Sequence, residues 1–343
     1  MRHDVAAEGA VDSAPLLDIA GLRIALTAEQ GGTELLRGVD LAVNAGEIVG
    51  IVGESGSGKT MLAMSILQLL AKEIHITAGR IKFSGEDLVK VGSARLREVR
   101  GRDVGVVFQD PMSALNPLHS VGKQVAEPLK LHGMAKRKER MSRAVVTLKR
   151  VGIPQSEERV RNRPFEFSGG MRQRALIAEA LSCDPKLLIA DEPTTGLDVT
   201  IQVQILNLLE RMRRENDMAI ILISHDLTMV AGICDRIVVM YAGRVVEEGA
   251  TADVLLRPKH PYTQALARSM PTLDTAPGEM LPALPGTPPP MTELGPGCSF
   301  AKRCSYAEEV CWRSEPELAE VGIRQSSACW VAQRDGGLGG GAA

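Results

Sequence analysis

At 343 residues, 44% of them hydrophobic, the chain is long enough to bury a large core and carry an appendage. Its 40 Lys and Arg against 42 Asp and Glu leave a net charge of −2, which excludes the basic footprint of nonspecific nucleic-acid binding, and 3% aromatic residues leave little for base stacking. No run reaches the ~18–20 consecutive apolar residues of a membrane helix, and residues 1–15 lack the apolar stretch of a signal peptide; a cytoplasmic chain is expected, meeting any membrane through partners.

Residues 1–15 read as a disordered leader, and alternating and apolar runs from Leu16 to Val43 predict a small antiparallel sheet. Glu47 to Val52 (EIVGIV) reads as a buried strand feeding Gly53-Glu54-Ser55-Gly56-Ser57-Gly58-Lys59-Thr60, which satisfies G-x-x-x-x-G-K-[ST]. Glycines let successive N–H groups converge on phosphate oxygens, and a helix expected from Gly58 to Leu70 adds the positive end of its dipole. Lys59 is placed for β- and γ-phosphates and the Thr60 hydroxyl for Mg²⁺. Gly79–Phe83 and Asp103–Phe108 read as strands, and Val121 to about Val151 as helical, with Lys136–Arg140 a solvated basic face.

A helix from Ser168 to Ser182 opens on Ser168-Gly169-Gly170, whose free N–H groups form a second anion site. Leu187 to Ala190 predict a buried strand delivering Asp191 and Glu192 at its carboxyl end, where ligands sit in open α/β sheets. Asp191 suits Mg²⁺ and Glu192 a general base, although an Asp-Glu pair there reads equally well as a helix cap. The helix Thr200–Arg214 carries an apolar stripe (Ile201, Ile205, Leu208, Leu209, Met212) that reads as core. Ala219 to Gly249 supplies the last strands; His225, after the apolar run Ala219–Ile223, taken alone reads as a capping residue.

Beyond Leu255 the character changes: residues 271–296 are a Pro- and Gly-rich linker, and the tail after Asp335 is Gly-rich and expected to be disordered. Cys298, Cys304, Cys311 and Cys329 follow C-x5-C-x6-C-x17-C, while Cys183 and Cys234 sit in apolar surroundings as inert thiols. In a reducing compartment four clustered thiols point to a metal site, and their spacing leaves zinc, an iron–sulfur cluster and unliganded thiols all open.

With these motifs in this order, residues 16–255 resemble the ATP-binding-cassette (ABC) ATPases. Gly53–Thr60 is similar to the Walker A loop, Leu187–Glu192 to Walker B with its catalytic glutamate, Gln109 to the Q-loop glutamine, Gly196-Leu197-Asp198 to the D-loop, and His225 to the switch histidine. Ser168-Gly169-Gly170 resembles the signature motif, with Phe167 and Met171 departing from the usual Leu and Gln; the adenine platform position near Leu26 is aliphatic. The resemblance implies an α/β P-loop core with an N-terminal antiparallel β subdomain, a helical subdomain inserted at about 110–185, and a small Cys-rich extension. It implies catalytic roles for Lys59, Gln109, Glu192 and His225, ATP and Mg²⁺ held by residues 53–60, Gln109 and Asp191, and Ser168, Gly169, Gly170 and Asp198 completing the site of a partner subunit.

The stretch Phe108–Pro117, the Met-type signature and His260-Pro261-Tyr262-Thr263 further resemble the ATPase subunits of oligopeptide/dipeptide importers, of the D-subunit type. Their C-terminal pattern is matched by Gly297, Cys298, Phe300, Arg303 and Cys304. The resemblance implies a [4Fe–4S] cluster on the four cysteines within 297–335, with zinc as the alternative, after a helix and linker over 256–296 and before the tail 336–343. It also implies a heterodimer with a second ABC ATPase, two transmembrane permeases contacted around Gln109–Pro117, an extracytoplasmic binding protein, the cytoplasmic membrane face, and no nucleic acid. Importers of nickel or other small solutes share these features. A soluble non-transport ABC ATPase is disfavoured, since the chain holds neither an inserted coiled coil nor a second cassette. A regulatory subunit is disfavoured by the presence of Lys59, Glu192 and His225.

Overall fold

The computed structural model describes residues 14–269 and 284–334, apart from 28, 30, 31 and 285. The expected tail, nearly all of the leader and much of the linker lie outside the described residues. The chain opens with β1 (Leu17–Leu26) and β2 (Glu34–Val43), then β3 (Ile48–Val52) and α1 (Lys59–Ile66), followed by β4 (Ile74–Phe83) and β5 (Glu86–Asp87). β2, β1, β4 and β5 form, in that order, an antiparallel four-stranded sheet. β4 starts earlier than the apolar pattern predicts because β1 pairs with it along its whole length, Leu26 opposite Ile74 and Leu17 opposite Phe83.

α2 (Ser93–Val99) leads to β6 (Val104–Val107) and a helical segment: α3 (Pro111–Ala114), α4 (Val121–Val125), α5 (Glu127–Leu131), α6 (Arg137–Arg150), α7 (Ser156–Arg159) and α8 (Gly169–Leu181). The helical run expected from Val121 to Val151 is thus three helices. Pro128 sits in the first turn of α5, where its missing N–H costs nothing, and Gly133, at φ +63°, ends it. The chain then returns through β7 (Leu187–Asp191), α9 (Val199–Asn216), β8 (Ala219–Ser224), α10 (Leu227–Ala231), β9 (Arg236–Tyr241) and β10 (Arg244–Ala250). After α11 (Thr251–Leu256) and α12 (Pro261–Arg268) come α13 (Glu309–Arg313), β11 (Ala319–Gly322), β12 (Gln325–Ser327) and α14 (Trp330–Arg334).

The main sheet has eight strands in the order β11-β12-β10-β9-β3-β8-β7-β6, parallel from β9 to β6 and antiparallel from β9 outward. β3, β7 and β8 are buried at every position, because alternate residues feed separate cores on the two faces. Ile48, Leu188, Ala190, Ile220 and Leu222 face the helical side; Val49, Ile51, Leu187, Ile189, Ile221 and Ile223 face α1 and the small sheet.

The C-terminal segment is stitched into this sheet. β12 pairs with β10, Glu247 opposite Ser327. Glu247 is fully buried, and its carboxylate accepts from Lys259 N–H (2.7 Å), His260 N–H (2.8 Å) and Gln325 Nε2 (2.8 Å). Burial pushes its carboxyl above the usual range, and the hydrogen bonds oppose that. His260 beside it is pushed down to about 3 by burial, so the ring is neutral and Nδ1 accepts from Tyr262 N–H at 3.0 Å. Glu247→Leu removes the side-chain acceptor of the Lys259 and His260 N–H groups and one of the two acceptors of Gln325 Nε2, and should cost about 2–4 kcal/mol of stability in chemical denaturation.

Candidate functional site

Parallel strands bring their carboxyl ends to one edge, and the sheet order β9-β3-β8-β7-β6 places the loops after β3, β6, β7 and β8 side by side. The loop after β3 is the glycine-rich run. Gly53 takes φ +154°, and a Cβ there would lie 2.2 Å from the Met240 carbonyl oxygen of β9 and 2.8 Å from Ser57 Oγ. Gly58, at φ +104°, stands at the start of α1 with no side-chain cap, leaving the first-turn N–H groups facing an incoming anion. Lys59 is buried, its ammonium donating to Gly53 O (2.7 Å) and Glu54 O (3.0 Å). Burial lowers its pKa, while the carboxylates of Glu192, Asp191 and Glu54 raise it.

Asp191 ends β7 buried, hydrogen-bonded to Thr60 and within the field of Lys59. Burial raises its carboxyl pKa, and Glu192 adds to that; Thr60 and Lys59 pull it down. Glu192 follows in the left-handed region at φ +46°, its N–H donating to Ile223 O at 3.0 Å. That turn delivers its carboxylate to three groups. Oε2 accepts from Gln109 Nε2 (3.0 Å) and from Thr195 Oγ1 (2.9 Å), and Oε1 lies 3.2 Å from His225 Nδ1. The Glu192 side chain is 16% exposed and that of His225 60%, so a sheltered carboxylate is ringed by residues open to an incoming ligand.

The structure therefore gathers Lys59, Thr60, Gln109, Asp191, Glu192 and His225 at one edge. Ser168, Gly169, Gly170 and Asp198 form a second group with one another. Ser168 caps α8 by accepting from Met171 N–H (3.3 Å), Asp198 caps α9 by accepting from Ile201 N–H (3.0 Å), and Gly170 lies against Ile201. Sequence reasoning missed Thr195, one hydroxyl in a polar turn with no pattern of its own. It also missed the contacts to Glu54: Tyr262 Oη accepts its N–H at 2.7 Å, and Arg303 grips its carboxylate. His260 to Thr263 carried a visible motif, but no local rule connects it to a loop 200 residues earlier.

The four C-terminal cysteines line one small apolar cavity with Phe300, Tyr306 and Trp330, and none is in a disulfide. Burial pushes the Cys298 thiol up to about 12 and the Cys304 thiol up to about 11, and neighbouring thiols raise both further. Such thiols become thiolates only against a compensating cation, and Cys304 Sγ already accepts the Tyr306 N–H at 3.4 Å. The donor chemistry therefore suits a thiophilic metal or cluster. As they lie, however, no three His, Cys, Asp or Glu side chains among the described residues form a group that could hold a metal ion, so the expected ready-made site is not seen: the four cysteines border a shared apolar cavity without closing on one point.

Sheet order, phosphate loop and carboxylate edge define a P-loop nucleotide hydrolase with an inserted helical segment. The ABC transporter family model matches residues 36–195, and the model for the oligopeptide/dipeptide transporter C-terminal region matches residues 246–311. A Brucella melitensis relative with the provisional name of a peptide import ATP-binding protein is 47% identical over 326 residues, 92% of this chain and 96% of its own. The oligopeptide transport ATP-binding protein OppD of Bacillus subtilis is 45% identical over 321 residues, 93% of this chain and 90% of OppD. Among solved structures, MJ0796, a dimeric cassette bound to ADP and Pi after hydrolysis, superposes with a TM-score of 0.62 at 27% identity, covering 68% of this chain and 98% of its own. The chain belongs to the ABC transporter ATP-binding proteins, in their oligopeptide/dipeptide branch. No helix among its described residues is long and apolar enough to cross a membrane.

Gly53→Ala forces a Cβ onto the Met240 carbonyl. Loop strain of about 1–3 kcal/mol should weaken ATP binding by about tenfold or more, measured by equilibrium nucleotide binding beside thermal melting.

Proposed function

We propose that this chain is the ATP-hydrolysing subunit that powers import of di- and oligopeptides through a pair of membrane permeases. The observation that carries this reading is the Glu192 carboxylate held by Gln109, Thr195 and His225 at the edge that bears Lys59 and Thr60. ATP lies with its phosphates along residues 53–60, and the Lys59 ammonium exchanges loop carbonyls for β- and γ-phosphate oxygens. Thr60, Asp191 and Gln109 hold Mg²⁺, which neutralises phosphate charge when bound. Glu192 orients the attacking water and takes up its proton; the His225 ring moves from Glu192 to the γ-phosphate.

In this reading Ser168, Gly169, Gly170 and Asp198 complete the site of a second ABC ATPase in a head-to-tail heterodimer, an arrangement favoured by the distance in sequence between the two anion-facing helix starts. The permeases dock at the cytoplasmic membrane face around Gln109–Pro117, where Phe108 (43% exposed) and Leu118 (73% exposed) present apolar side chains beside α3. An extracytoplasmic binding protein delivers the peptide. Cys298, Cys304, Cys311 and Cys329 hold a [4Fe–4S] cluster, with zinc as the alternative, which ties the extension together and takes no part in the hydrolysis.

Glu192→Gln should keep ATP binding, lower turnover by about 10²–10⁴-fold and accumulate an ATP-bound dimer in size-exclusion chromatography with the partner subunit. Hydrolysis at the parental rate would remove Glu192 from its role as base. Anaerobic purification should yield about four iron and four acid-labile sulfide per chain; stoichiometric zinc without iron would make the extension a zinc module.

A further inference from the structure

Arg303 ends the 3₁₀ turn Ala301–Arg303 in the C-terminal extension, beside Cys304. Its guanidinium donates to both oxygens of Glu54, Nη1 to Oε2 at 2.6 Å and Nη2 to Oε1 at 3.0 Å, and Nη1 also reaches the Tyr241 hydroxyl at 3.3 Å. The side chain is only 5% exposed, with Cζ 5.8 Å from the Tyr241 ring centroid and 5.7 Å from that of Phe300. Tyr262 packs on the same two rings, at 4.7 and 5.4 Å, and accepts the Glu54 N–H at 2.7 Å. Backbone and side chain of one loop residue are thus both held from beyond residue 240.

A buried, bidentate fork differs in kind from an exposed ion pair: the guanidinium is preorganised and little screened. As a mere staple for the extension it would be redundant, since Arg37 of β2 and Arg244 of β10 already hold Glu315, and Arg37 also donates to Ser299 Oγ at 2.8 Å. Glu54 is different because it belongs to the loop whose N–H groups receive phosphate. Released, its carboxylate would add a like charge beside a polyphosphate, and the loop would lose its fixed second residue.

On the reading of residues 53–60 as the phosphate site of ATP, we infer that Arg303 is a positioning residue for nucleotide binding: it fixes Glu54 and cancels its charge, so that the C-terminal extension sets ATP affinity in cis. The inferred effect on nucleotide runs through the Glu54 carboxylate, which makes the inference testable by rescue.

The test is equilibrium ATP binding to the full chain at fixed Mg²⁺, beside thermal melting. Arg303→Met keeps the apolar stem over Tyr241 and Phe300 and removes the charge. It should weaken ATP binding by about tenfold, with Arg303→Lys intermediate. Adding Glu54→Gln to Arg303→Met removes the uncompensated carboxylate and should restore most of the lost affinity, which repair of a merely structural contact would not do. Parental affinity in Arg303→Met, or no recovery in the double variant, overturns the inference. Lys59→Ala separates the layers. If it abolishes binding while Arg303→Met leaves it intact, only the role of Arg303 falls; if it too binds ATP normally, the phosphate-loop reading falls and this inference with it.

Discussion

Five strands, β9, β3, β8, β7 and β6, run in one direction with helices or a second sheet on both faces, and their near-continuous apolar sequence follows from having no solvent side. Because those strands cannot carry polar side chains within the sheet, the polar groups collect where the strands stop. At that edge Val52 is in parallel register with Ser224 and Asp191 with Ile223, so the phosphate loop, the Asp-Glu pair and the turn holding His225 are neighbours by construction. The chemistry depends on this constraint more than on any single contact: a one-residue slip of β7 would turn Asp191 to the other face.

The opposite flank of the sheet shows how a fold manages polar groups it has to bury. Glu247, His260 and Gln325 lie deep in the structure, yet the carboxylate has three donors and the neutral imidazole accepts a backbone N–H. The exposed pair Arg334–Glu308 of the extension, with side chains 58% and 42% exposed, contributes about 0–1 kcal/mol, so surface charge adds little to holding the extension. It is held by strand pairing, by this buried network, by the largely buried pairs of Glu315 with Arg37 and Arg244, and by an aromatic cluster of Tyr241, Tyr262 and Phe300. That cluster stands directly under the phosphate loop, so the segment richest in cysteine touches the segment that meets nucleotide.

Much of this was legible in the residues. Short apolar runs ending in Gly53 and in Asp191 announced buried strands with ligands at their ends, and the spacing of the Walker-type motifs gave their relation. Helix boundaries were less so: nothing in the apolar pattern showed that Pro128 and Gly133 would divide one expected helix into three. The cysteines announced themselves by clustering, but whether four sulfurs converge depends on how their loops pack, and spacing is silent on that.

The amino-acid order by itself determined which residues carry the chemistry, because phosphate binding and metal ligation demand particular side chains at particular local spacings. Only the tertiary structure decided which of them meet. Gln109, Thr195 and His225 close on Glu192, and Tyr262 and Arg303 on Glu54, across 83 and 249 residues in the longest cases. Those encounters are set by strand order and sheet twist, global properties of packing that no local pattern encodes.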